Sequence, residues 1–216
     1  MKDRLELIYR RLYSYFGAQD WWPASNSFEV IVGAILTQNT SWQNVEKAID
    51  KIKANGPILP KRLYSLPEKK LAGLIKSAGY YNLKAKRLRN FLSFFLRSYN
   101  GSIKKMSLTS LGKLREELLS VNGIGPETAD SILLYAFNRP IFVIDAYTKR
   151  ILLRHKIIRE DFNYCAIQNI FMKHLKRDAK LFNEYHALLV RLGKEFCLKK
   201  KPRCQICPLK CNDQLS

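Results

Sequence analysis

Apolar positions recur every three or four residues along nearly the whole chain. The segments "FEVIVGAILTQNTSWQNVEKAIDKIKANG", "EKKLAGLIKSAGYYNLKAKRLRNFLSFFLRSYNG" and "LTSLGKLREELLSVNGIG" all carry this spacing, which lines up apolar side chains on one face of a helix. The opening "MKDRLELIYRRLYSYFGAQD" reads as a charged amphipathic helix. One run is strand-like, the apolar "PIFVID" at 140–145, which is too short and isolated to imply a sheet. Breaks are frequent. "GPILPKRLYSLPEKK" reads as a connector with three prolines, Asn100-Gly101 ends a helix, and "SLTSLGKLREEL" starts one behind Ser and Thr caps. The expectation is an all-α fold of about ten short helices, without repeats or a long linker.

Composition adds a partner. The 216 residues are 47% hydrophobic, enough for a real core, and 38 Lys and Arg stand against 18 Asp and Glu. A formal net charge of +20 favours a polyanion, and nucleic acid above all. The N-terminal segment has neither a signal-peptide apolar stretch nor a small-residue cleavage site, and no run of about 18 apolar residues offers a membrane span. These features predict an intracellular, cytoplasmic protein, in which five cysteines are not a disulfide framework.

Four stretches carry candidate chemistry. "NGIGPETAD" places Gly123 and Gly125 before Pro126, so one helix ends and another begins with almost nothing between. This is either an ordinary helix corner or a phosphate grip made of main-chain amides. Near the C-terminus, Cys197, Cys204, Cys207 and Cys211 are spaced C-x6-C-x2-C-x3-C. Four such thiolates suit a metal; the lone leading cysteine and single C-x2-C pair favour a [4Fe–4S] cluster over zinc. The same loop carries Lys199, Lys200, Lys201 and Arg203, a solvated face or a contact for DNA phosphates, while Cys165 reads as a buried structural thiol. Asp145 closes the apolar run "IFVID" ahead of a helix, as a cap or as a carboxylate placed for chemistry on a sugar. Finally, "DWWPASNSFEVIVGAILTQNTSW" holds Trp21, Trp22 and Pro23, then Trp42. These aromatics are core residues or stacking plates for a flipped base, and Gln38 is placed to fill the hole that base leaves.

Together these residues resemble the helix–hairpin–helix DNA glycosylase superfamily, in its endonuclease III branch. "LTQNT", "SAGYYNLKAKRL", "LLSVNGIGPETAD" followed by "VIDAY", and the cysteine loop occur in family order over nearly the whole chain. The resemblance implies a two-lobed all-α fold with double-stranded DNA across the cleft and a monomeric enzyme of the nucleoid. One lobe would be a six-helix barrel over residues 20–128; the other would join 1–19 to 129–216 and hold the cluster loop, 197–211. Asp145 matches the family's catalytic aspartate, and the hairpin residues Gly123, Gly125, Glu127 and Thr128 would meet DNA. Two departures stand out. Bifunctional members carry a lysine where this chain has Glu127, and a glutamate cannot form their Schiff base. The last cysteine gap is three residues, where the common pattern has five. "WWP", "LTQNT" and "GIGPETAD" look most like endonuclease III-related 3-methyladenine glycosylases. The implied activity is monofunctional base excision of 3-methyladenine or a related alkylated purine. The alternatives are removal of uracil, mismatched thymine or an oxidised pyrimidine, with or without lyase action through an amine such as Lys149, and a non-enzymatic damage sensor.

Overall fold

A computed structural model describes residues 1–19 and 26–210. The chain divides into two compact units, Ala24–Phe137 and Met1–Pro23 with Asn138–Ser216.

The first unit is built around α2 (Ser27–Leu36), in which every residue from Phe28 to Leu36 is buried. A helix apolar on all sides belongs at a core's centre. Asn26 starts it, its Oδ1 accepting from the Glu29 amide at 3.0 Å. Around it run α3 (Trp42–Ala54), α4 (Pro60–Ser65), α5 (Glu68–Leu74) and α6 (Tyr81–Tyr99). Phe95 of α6 stacks against Phe28 and Phe91. Asn100 in the left-handed region ends α6, as its pairing with Gly101 predicted. Next come α7 (Ile103–Ser107) and α8 (Leu111–Ser120). α9 (Pro126–Ser131) continues as a π-helical segment, Ile132–Ala136, that packs on α2. That continuity carries this unit past Thr128, where the sequence reading put the barrel's end, to Phe137.

The second unit holds α1 (Lys2–Phe16), α10 (Ala146–Arg154), α11 (Tyr164–His174) and α12 (Ala179–Glu195). Its aromatic core stacks Phe142 on Phe171 at 3.8 Å, with Phe182 and Tyr185 edge-on. The buried Tyr185 hydroxyl donates to the Leu5 carbonyl at 2.8 Å, tying α12 to α1. The run 140–145 is buried from Ile141 to Ile144, yet it joins no sheet among the described residues. Side chains serve its backbone instead: Gln168 Nε2 donates to the Phe142 carbonyl, and the Ile144 amide donates to the Tyr164 hydroxyl.

Three local expectations change. The three-proline connector contains α4, because Pro60 falls at a first helical position, where a missing N–H costs nothing. Ser110 stands at the N-cap of α8 without a side-chain cap bond, and the Thr109 hydroxyl pairs with Tyr99 instead. Cys165 is exposed, not buried, because α11 turns that first-turn position outward.

Candidate active site and nucleic-acid interface

In the first unit the candidate interface is a loop, a turn and a hairpin gathered along α6. Gly123 has φ of +96°, a conformation that the helix-to-helix reversal requires and that side chains resist. Gly125 differs: it is extended, at φ −91°, and a Cβ there would meet nothing within 4 Å. The chain's own packing leaves open space at Gly125. Next to it Glu127 is exposed, whereas Thr128 is buried. Gln38, the residue proposed to fill the hole left by a flipped base, is tied to the hairpin in this structure. Its Nε2 donates to the Gly123 carbonyl at 3.0 Å and the Thr128 hydroxyl at 2.9 Å, and its Oε1 accepts from Arg87.

Trp42 begins α3, half-buried, with its indole N–H donating to Glu46 Oε1 at 2.8 Å. Trp21, Trp22 and Pro23, the other proposed base-pocket residues, lie outside the described residues.

Two features here escaped the sequence reading. Lys84 is buried, and its ammonium donates to the carbonyls of Leu36 at 2.8 Å and Ala78 at 2.6 Å, joining the end of α2 to the turn before α6. Burial, and then the charge of Arg87, lower its pKa to about 8. The signal was present, since Lys84 sits four residues before Leu88 on the apolar stripe of α6. Tyr80 is 71% exposed and held at φ +45°, a strained setting for an aromatic residue. No pattern in the sequence marks that backbone conformation.

In the second unit Asp145 is the N-cap of α10. Its Oδ1 accepts from the Thr148 amide at 2.7 Å, and its Oδ2 lies 3.7 Å from Nε2 of the buried His186. Burial lowers the His186 pKa, and Asp145 only partly offsets this. The imidazole is therefore neutral at pH 7. A lone histidine in "NEYHALLV" gave no hint of this pairing. Lys149, the alternative amine, donates from Nζ to the Phe162 carbonyl at 3.3 Å.

The same α10 holds the cysteine loop. Arg150 donates to the carbonyls of Cys197 and Gly193, and Arg154 to Cys197 Sγ at 3.2 Å and to the Leu198 and Lys199 carbonyls. Cys197 and Cys207 are buried and Cys204 is half-buried. Burial, with the nearby Cys197 and Cys204, raises the Cys207 pKa, against two main-chain hydrogen bonds that lower it. Among the described residues no three ligating side chains converge as a metal site, and Cys211 lies outside them. The donors still suit a thiophilic metal in kind, since Cys197, Cys204 and Cys207 all offer free thiols. Lys199, Lys200, Lys201 and Arg203 are exposed on this loop. No described helix is long and apolar enough to cross a membrane.

Residues 32–177 match the family model described as HhH-GPD superfamily base excision DNA repair protein. A candidate DNA repair glycosylase of Methanocaldococcus jannaschii is 50% identical over 205 residues, covering 94% of this chain and 92% of that one. The structure of the Helicobacter pylori 3-methyladenine DNA glycosylase bound to 1,N6-ethenoadenine superposes with a TM-score of 0.76 at 28% identity, covering 89% and 97% of the two chains. An endonuclease III in a non-covalent DNA complex shares the fold, at a TM-score of 0.83 and 22% identity over 97% and 93%.

Proposed function

We propose, on the premise that the chain belongs to the HhH-GPD superfamily of base excision DNA repair proteins and is a DNA N-glycosylase, that it removes 3-methyladenine or a related alkylated purine without cutting the strand. The observation that supports the glycosylase chemistry is the anchoring of Asp145, and the one that supports release without strand cutting is Glu127, exposed in the hairpin. A carboxylate fixed by the Thr148 amide, with the buried His186 ring 3.7 Å away, is held in one position for an electron-poor sugar.

The mechanism follows from those groups. Basic side chains gather the duplex, and main-chain amides around Gly123 and Gly125 take a backbone phosphate. The room beside Gly125 lets the phosphate approach the main chain. The target nucleotide leaves the stack, and Tyr80, held outward, stacks against the bases that stay. Trp42, with Trp21, Trp22 and Pro23, receives the extruded base. A methylated adenine carries positive charge, so an aromatic pocket favours it by about 0.5–2 kcal/mol per ring. The same charge makes the base a good leaving group, and a strong general acid is unnecessary. Asp145 stabilises the oxocarbenium-like sugar as the C1′–N bond breaks and assists attack by water.

Release without strand cutting rests on the hairpin, where Glu127 replaces the amine of bifunctional relatives, and on Lys149, whose ammonium is engaged with Phe162. The similarity to a 3-methyladenine glycosylase supports the choice of base. Cys197, Cys204, Cys207 and Cys211 would hold a [4Fe–4S] cluster, which when bound would fix the loop presenting Lys199 to Arg203.

The test is base release from methylated duplex DNA, with Asp145→Asn alongside. Asparagine caps a helix as well as aspartate does, so α10 should persist while the charge is lost. Wild type should free 3-methyladenine, the variant should be slower by about a hundredfold or more, and borohydride should trap no covalent complex. Release of uracil or mismatched thymine instead, or a trapped adduct, would overturn this reading.

A further inference from the structure

On α6, Lys84, Arg87 and Asn90 recur at three-residue spacing, and each ends on a different part of the interface. Lys84 holds the carbonyls of Leu36 and Ala78. Asn90 Nδ2 donates to the Asn122 carbonyl at 3.0 Å, at the tip of the hairpin. Arg87 does two things. Its guanidinium donates to Gln38 Oε1, and its aliphatic stem is the floor under Gly123, where a Cβ would fall 2.3 Å from Arg87 Cγ. The Gln38 amide has no second way to sit. A guanidinium only donates and a main-chain carbonyl only accepts, so Oε1 must face Arg87 and Nε2 must face Gly123. Removing one member leaves the others partly unsatisfied, which costs more than the single bond.

We propose that Arg87 is a positioning residue, which locks Gln38 to the hairpin so that the loop 37–40 and the hairpin 122–128 meet a duplex as one piece. The inference rests on the reading that these segments grip DNA, but its lock lies wholly within this chain.

Arg87→Met keeps the stem and removes the head. It is compared with Gln38→Ala, with the double variant, and with Arg87→Lys, which keeps one donor. Two quantities are measured: affinity for a duplex carrying a stable abasic-site analogue over a salt series, and amide hydrogen exchange of residues 123–129 without DNA. Each single variant should weaken binding about tenfold, and the double variant should be no more than about twofold worse than either. Arg87→Lys should fall between wild type and Arg87→Met. The slope of log affinity against log salt should match wild type, and hairpin exchange should rise equally in both singles and no further in the double. Losses that multiply to about a hundredfold, or a slope reduced by about one, which marks a phosphate contact, would overturn the proposal. So would unchanged exchange. If wild type fails to bind the duplex at all, the glycosylase reading falls, and exchange alone decides the lock: non-additive upholds it, additive overturns it.

Discussion

His186 and Lys84 give this protein two readable responses to pH, beside that of His155, whose pKa burial and then Arg4 also lower. His186 has its folded pKa pushed below the ordinary 6.5 by burial. Its contribution is therefore fully present above pH 6.5 and is lost as pH falls through the lowered value. Thermal unfolding followed from pH 7.5 to 4.5 should show a loss of midpoint that His186→Gln lessens; equal slopes in the two proteins would contradict this. Lys84 has its pKa lowered to about 8 from an ordinary 10.5. Between those values the unfolded chain binds more protons than the folded one, so stability from this group rises as pH climbs from about 8 towards 10.5. Lys84→Met strips the Leu36 and Ala78 carbonyls of their donor, at a cost of about 1–3 kcal/mol. The gap in unfolding midpoint between wild type and this variant should widen from pH 8 to pH 10. At this scale the sequence was only partly readable. The lysine betrayed itself by register on the apolar stripe of α6, whereas His186 became meaningful only through a carboxylate far away in the chain.

Helices α8 and α9, the two limbs of the hairpin, are held by more than apolar contact. Arg115 of α8 grips Asp130 of α9 through two hydrogen bonds, at 2.7 and 3.1 Å, and Asp130 is fully buried. Arg115 keeps 24% of its side-chain surface in solvent, so Asp130→Ala leaves it partly hydrated and should destabilise the fold by about 1–3 kcal/mol. Denaturant unfolding measures this directly. Replacing both residues with apolar ones of similar size should recover much of the loss, and a double variant as weak as Asp130→Ala would show that the pair does more than neutralise itself. Element boundaries followed the punctuation of the sequence where backbone chemistry dictates it, at Asn100-Gly101 and at Pro126. They departed from it where a neighbour intervened, as with Thr109, whose hydroxyl turns to Tyr99 rather than capping α8.

At the scale of the molecule, the charge of +20 predicts how the protein meets its partner. Binding to duplex DNA should weaken steeply between about 50 and 200 mM salt, by roughly a thousandfold or more if six or more phosphates are neutralised. Titration of a labelled duplex over that range checks it, and a nearly flat response would mean that the basic surface is merely solvated. The division of labour is also a property of the whole chain. One unit carries the loop, the turn and the hairpin, while the other carries Asp145 and the cysteine loop, both tied to α10.

The sequence by itself determined the all-α class, the place of the hairpin, the family and the residues worth watching. These depend on local periodicity, on glycine and proline chemistry and on motif order, all of which are written in consecutive residues. Tertiary structure alone decided what those residues do to one another. Gln38 faces inward onto the hairpin because Arg87 and Gly123 offer complementary groups. Gly123 is needed by the chain's own turn, while Gly125 is left with open space. Asp145 stands beside a neutral histidine because α12 buries that ring. Such pairings join residues tens of positions apart, and no local pattern encodes the distance between them.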